Sequence, residues 1–355
     1  MSLRRNLSAA CVLAATVVSG SAAASTINQN TSWTVTRTGA TSTYRVVAYG
    51  DSIFAGYNGS LFSVARRAEP YTSGEYLASK WGTNIEVVRR TKSGAKADDI
   101  YNNKIVAETS YMQASNTRVV MFEMCGNDYL QARSAFADQT GTCSYAGLDT
   151  ALANCTTYME KAMQTINAKA TTAKAKIIMN VYYPGYAADN VLTGCTDPST
   201  GTKINKQSKF IPYMAKSNWK ACSLAAQYGF KCADAFAEMM GSDYDSNGDG
   251  MIDVDGLRYV QGETEAAYVT RITSTLRSTI RDANTHFTTA SSSFDYIQSD
   301  DTHPTYYKST IGTGTGSGAS DFTDAQLAGG KNTEWNKWGH EKSGWSISTY
   351  NPAAP

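Results

Sequence analysis

The sequence predicts an α/β fold, a parallel sheet with helices on both faces. Two observations carry that expectation. Short apolar runs that read as strands alternate with segments of helical spacing over most of the 355 residues. Three small motifs of Gly, Ser, Asp and Asn follow those strands, and an open parallel sheet gathers its functional residues at such strand ends.

Residues 44–49 (Tyr-Arg-Val-Val-Ala-Tyr) read as the first strand, after a polar leader over 25–43. Residues 75–81 look like the end of a helix closed by Gly82, and 85–89 like a second strand. Helical spacing returns over 97–108, with Ile100, Ile105 and Val106 apolar. Residues 118–124 form a third strand, apolar enough to be buried on both faces. A helix is expected over 148–169, a fourth strand over 176–182 and a helix over 213–227. A fifth strand over 230–233 and a long helix over 262–287 complete the pattern. The Gly-, Ser- and Thr-rich stretch 309–320 reads as an inserted flexible loop.

A net charge of +1 gives no electrostatic reason to expect nucleic acid. The first 24 residues have the layout of a secretory signal peptide: a basic start at Arg4 and Arg5, an apolar stretch, and small residues at Ala22–Ala24. That apolar stretch is too short to span a bilayer, and no later segment is long enough, so stable membrane insertion is not expected. The expected location is secreted or periplasmic. The rest, 25–355, is expected to be a single domain. Six cysteines remain beyond the signal, and an even count in an exported chain suggests disulfides. The sequence alone cannot choose among the pairings. Neighbours in order are preferred: Cys125 with Cys143, Cys155 with Cys195, Cys222 with Cys232.

The motifs follow the needs of acyl transfer. Ser52, in Gly50-Asp51-Ser52 after the first strand, is the candidate nucleophile. A serine hydroxyl needs a base, and histidine is the usual one. His303 is the candidate among three histidines, because Asp300 stands three residues before it and can hold the imidazole in the right tautomer. The developing oxyanion needs donors already in place. The backbone N–H groups of Ser52 and Gly94 and the side-chain amide of Asn127 can supply three. Asp51 and Asp128 read as structural loop residues, Asp301 as a solvated neighbour, and His340 as structural. His286 has no carboxylate at a fitting spacing. The bland alternatives, Ser52 as a helix cap and Asn127 as a turn residue, explain each motif singly but not the set in this order. The sequence Gly50-Asp51-Ser52-Ile53-Phe54 lacks the second glycine of an α/β-hydrolase nucleophile elbow.

On Gly50-Asp51-Ser52, Gly94, Gly126-Asn127-Asp128, Asp300 to His303 and Gly339-His340, the chain resembles the SGNH (GDSL) hydrolase family of esterases and lipases. The resemblance implies a three-layer α/β/α sandwich with a flavodoxin-like sheet. It also implies Ser52 as nucleophile, His303 as base, Asp300 as orienting acid, and Gly94 and Asn127 in the oxyanion hole. Segments near 185–260 and 305–338 are longer than in the compact family core and read as insertions.

A second constellation starts at Asp245. Asp245, Asn247, Asp249, Met251 and Asp253 take EF-hand loop positions, with Gly250 at the sharp turn, but Gly256 stands where a bidentate Glu should be. A structural calcium and an acidic turn without an ion are both open. The expected function is a secreted carboxylic ester hydrolase acting on a small-molecule or lipid ester through an acyl-enzyme, with no cofactor for catalysis. A carbohydrate O-acetyl esterase is the enzyme alternative. A secreted calcium-dependent binding module is the non-enzyme alternative, and it has no need of a general base.

Overall fold

The computed structural model describes residues 26–355 apart from 61, 184–188, 190, 241–256, 280–295, 299, 301, 307–321 and 330–337. The signal-peptide segment, the acidic run 243–253 with all five candidate calcium ligands, the low-complexity stretch 309–320 and His286 lie outside the described residues.

Five parallel strands build the sheet: β1 (Thr43–Gly50), β2 (Asn84–Ser93), β3 (Thr117–Phe122), β4 (Ala175–Met179) and β5 (Lys231–Ala233). Their spatial order is β2-β1-β3-β4-β5, the doubly wound flavodoxin-like order. The chain leaves β1 for β2 on one side and then crosses to β3 on the other. The switch point therefore lies at the end of β1, where a crevice opens between diverging connections.

Alternate residues of these strands feed two cores, because successive side chains point to opposite faces. Val47, Tyr49, Val120, Phe122 and Ile178 pack against one set of helices. These are α3 (Gly126–Ala137), α4 (Ala146–Lys169), α5 (Lys206–Tyr228) and α6 (Glu265–Thr279). Val46, Ala48, Val119, Met121, Ile177 and Met179 pack on the other face. That face holds α1 (Ser52–Ala55), α2 (Glu69–Trp81) and α7 (Gly339–Ser348). The result is the three-layer α/β/α sandwich that the resemblance implies. Of the stretch near 185–260, α5 and β5 belong to these core layers.

Several expectations need correction. The polar leader is not all leader: Ile27–Asn28 and Thr31–Val35 pair antiparallel with β2 and cover its outer edge. An edge strand with one face exposed carries little apolar signal, so its pairing is invisible in the sequence. The helical run after Ala97 is split into an α-turn, Ala97–Ile100, and a π-helical segment, Tyr101–Val106. Helix α5 starts seven residues before the expected position, at Lys206 and not at 213. Asn205 caps it, accepting from the Ser208 N–H at 3.0 Å, and Pro212 sits inside. Burial of Phe210, Ile211 and Met214 offsets the bond that Pro212 cannot donate.

The disulfides join Cys125 to Cys155, Cys143 to Cys195 and Cys222 to Cys232. Only the last follows the order of the chain. Helix α3 carries the chain away from Cys125 before Cys143 is reached. Helix α4 then returns past the end of β3 and brings Cys155 to Cys125, both fully buried. Cys143 follows one strand of a small two-stranded sheet, Gly141–Thr142 with Cys195–Thr196, and Cys195 begins the other.

Candidate active site

Strand β1 ends at Gly50, and the chain turns at once into the single helical turn α1. Asp51 caps that turn, its Oδ1 accepting from the Ile53 N–H at 2.8 Å. Ser52 takes the first helical position, so its own N–H has no acceptor within the helix. At the end of β2, Gly94 has φ +78°, a left-handed conformation that glycine adopts without strain. At the end of β3, Cys125 has φ +87° and is tied by its disulfide to α4, and Asn127 follows in the first turn of α3.

His303 and Asp300 come from a loop outside any strand. Ile297 bridges Pro304 across the loop, and the Gln298 N–H donates to the His303 carbonyl at 2.7 Å. Asp300 Oδ1 accepts from the backbone N–H groups of Thr302 and His303, each at 3.0 Å. The turn that these bonds close brings Asp300 Oδ2 to 2.6 Å from His303 Nδ1. On the other side of the ring, His303 Nε2 lies 2.8 Å from Ser52 Oγ. The three residues singled out in the sequence thus stand in one hydrogen-bonded row, across 251 residues of chain. Partial burial pushes the Asp300 carboxyl up, but the bonds from the His303 ring and from two backbone N–H groups outweigh it and hold it below its usual range.

Ser52, Gly94 and Asn127 line the same cavity as His303. Asn127 Nδ2 donates to Asp51 Oδ2 at 2.9 Å and to the Ala95 carbonyl at 3.1 Å. Both amide hydrogens are therefore held by protein acceptors, and an oxyanion would have to share or replace one of them. Asp128 points elsewhere: it accepts from the Ala97 N–H at 2.9 Å and from Asn154 at 2.6 Å. His340 is fully buried, with Nδ1 2.8 Å from Glu69 Oε2 on α2, and does not line the cavity that holds Ser52. The N–H groups of Gly339 and His340 donate to Thr305, which docks the start of α7 onto the end of the His303 loop.

The sequence reading missed two residues beside these groups. Tyr57 stacks on the His303 ring, centroids 3.8 Å apart and planes 18° from parallel. Gln298 Nε2 donates to the Tyr57 and Pro304 carbonyls, both at 2.7 Å, and so ties that stack to the loop. The other is Glu123 at the exit of β3, whose Oε1 accepts from the Asp51 N–H at 2.6 Å. A Cβ at position 50 would fall 2.3 Å from that oxygen, so only glycine fits there. Burial pushes both Asp51 and Glu123 up. Bonds from Ile53 and Asn127 hold Asp51 back, whereas the Asp51 charge drives Glu123 further, well above its usual range. An acidic residue inside an apolar strand was the available signal for Glu123. Tyr57 left none, because its partner is distant in the chain.

The cavity has a volume of about 320 Å³. Away from Ser52 its wall is apolar: Tyr129, Leu130, Val181, Phe210 and Met214 line it. At the same wall Arg133 pairs with Asp189 at 2.6 Å, and Tyr183 donates to the same Asp189 oxygen at 2.8 Å. Among the described residues no cluster of three or more His, Cys, Asp or Glu could hold a metal ion. No helix among them is long and apolar enough to cross a membrane.

A flavodoxin-ordered α/β/α sandwich with these groups above its switch point defines a class, the ester hydrolases built on this scaffold. Within that class, the model of the GDSL-like lipase/acylhydrolase family matches residues 46–307. The chain belongs to that family and is a hydrolase acting on esters. Solved structures with a similar fold include a lipase from a goat rumen metagenome, at 16% identity over 67% of this chain and 99% of that one, TM-score 0.42. Another is phospholipase A1 from Streptomyces albidoflavus, at 18% identity over 66% and 99%, TM-score 0.40. A variant acetyl xylan esterase from Geobacillus stearothermophilus is 13% identical over 57% and 79%, TM-score 0.37. No curated protein sequence matches the chain.

Proposed function

We propose that the chain is a secreted carboxylic ester hydrolase in which Ser52, His303 and Asp300 act as a catalytic triad. The observation that carries this reading is the hydrogen-bonded row Asp300–His303–Ser52 at the mouth of an apolar cavity. His303 Nε2 takes the proton as Ser52 Oγ attacks the ester carbonyl. The oxyanion is held by the N–H groups of Ser52 and Gly94 and by the Asn127 amide. The alcohol leaves with the proton from His303. Water, deprotonated by the same imidazole, then releases the acid. The acyl chain lies along Leu130, Val181, Phe210 and Met214, which favours a lipid or simple aliphatic ester.

Hydrolysis of p-nitrophenyl esters of increasing chain length, with Ser52→Ala alongside, tests this. The kcat/KM should climb about fourfold per methylene until the cavity is full, because each buried CH₂ contributes about 0.8 kcal/mol. Ser52→Ala should lose at least about 10⁴ in kcat, and wild-type turnover in that variant would end the proposal. A sharp preference for acetate, joined to acetate release from xylan, would assign a carbohydrate O-acetyl esterase instead.

We place a signal peptide over 1–24 and a single domain over 25–355, in keeping with three disulfides. The spacing of Asp245, Asn247, Asp249, Met251 and Asp253 supports a structural calcium, outside the chemistry. Thermal melts with and without a chelator should then differ, and identical melts would remove the ion.

A further inference from the structure

Glu123 takes no part in the triad, yet it is buried, lines the catalytic cavity and touches the residue next to the nucleophile. Its Oε1 accepts from the Asp51 N–H at 2.6 Å, which sets its carboxyl beside that of Asp51. Two buried carboxyls in contact cannot both be ionised without a cation between them, so the pair shares one proton.

The surrounding donors decide which acid holds it. Asp51 accepts from the Ile53 N–H on one oxygen and from Asn127 Nδ2 on the other. Both partners are donors, and both favour a carboxylate at Asp51. The Glu123 oxygen that accepts from the Asp51 N–H is Oε1, which leaves the other free to carry the hydrogen. The charged groups facing the pair act in the same direction. Glu69 on α2 disfavours a negative Glu123, and His303 favours a negative Asp51.

We propose that Glu123 is a positioning residue of the esterase: its neutral carboxyl donates to Asp51, and the Asp51 carboxylate fixes the Asn127 amide for the oxyanion. This rests on the reading of Asn127 as an oxyanion donor. Asp51 takes one Asn127 hydrogen, so the amide plane is fixed, and the longer bond to the Ala95 carbonyl is the one that yields to substrate. Without the Glu123 donor, Asp51 would lose a partner in a dry site and Asn127 would lose its reference.

Swapping amides for acids tests where the proton sits. Glu123→Gln copies the neutral acid, since its oxygen accepts from the Asp51 N–H and its NH₂ donates to the carboxylate. It should stay within about tenfold of wild-type kcat. Glu123→Leu should lose about 10²–10³ in kcat with little change in KM, the scale of one lost oxyanion donor. Asp51→Asn, which sets an NH₂ against donors, should fall as far. The proposal is overturned if Glu123→Gln falls as far as Glu123→Leu, or if Asp51→Asn keeps wild-type turnover. Infrared spectra supply a reading that needs no turnover. At neutral pH one protonated-carboxyl C=O band should be present in wild type and in Ser52→Ala, and lost in Glu123→Gln. A spectrum unchanged by that substitution would also overturn the proposal. Turnover in Ser52→Ala would instead sink the triad reading and leave the infrared result standing.

Discussion

Ser52, Gly94 and Asn127 stand on the ends of three parallel strands, whereas His303 and Asp300 stand on a loop that pairs with itself. The acids of the two regions are treated in opposite ways. On the sheet side, burial drives Asp128 up to about 6 and Glu123 well above its usual range. On the loop side, bonds from the His303 ring and two backbone N–H groups outweigh burial and hold Asp300 down. The sheet side gains rigidity from dry packing and tolerates the cost to its carboxylates. The loop side stays half exposed and keeps its carboxylate charged by giving it donors. The difference matches the proposed chemistry, in which an oxyanion hole must not move and the acid behind a general base must remain ionised.

The sharpest way to break the loop side is Asp300→Asn. The amide still offers one oxygen to the Thr302 and His303 N–H groups, so the turn survives. Its NH₂, however, meets Nδ1 of His303 and favours the tautomer that cannot accept the Ser52 proton. The kcat should fall by about 10⁴ with KM little changed, measured on a short p-nitrophenyl ester. A loss below tenfold would show that the loop orients His303 without help from Asp300.

On the sheet side the matching test is stability against pH. The Asp128 value in the folded chain, about 6, lies above the ordinary 3.8. The folded state therefore binds more protons than the unfolded chain between those values, and stability falls as pH rises through that window. The Asp128 contribution should drop by about 2.4 kcal/mol from pH 4 to 7. It is read as the unfolding free energy of wild type minus that of Asp128→Asn across the range. Asp300 has the opposite sign: its contribution is lost only as pH falls below the ordinary carboxylate value. A difference curve that is flat from pH 4 to 7 would remove the contrast between the two regions.

Most of the sheet side was legible in the sequence because its parts are local. A strand, a glycine or serine turn and the next helix are contiguous, so Ser52, Gly94 and Asn127 announce themselves at strand ends. Asp300 and His303 were legible for the same reason, since three residues fit one turn. What failed was whatever depends on a distant partner. The edge strand Thr31–Val35 exists only against β2. Cys125 finds Cys155 only because α3 and α4 fold back. Asp51 was read as a structural loop acid, but not as half of a pair with Glu123, which stands 72 residues away.

Tyr57 is the smallest and cleanest case of such a partner. It stands 246 residues before His303, in a short hairpin of Tyr57–Ser60 with Ser63–Val64, and covers one face of the imidazole. Aromatic stacking of this kind is worth about 0.5–1.5 kcal/mol. It should count for more once His303 is protonated, because the ring face favours a cation. Tyr57→Leu keeps an apolar cover and removes that preference. Its kcat should fall about threefold to tenfold, with KM and melting temperature nearly unchanged. A fall below twofold would show that the stack shields the ring without orienting it.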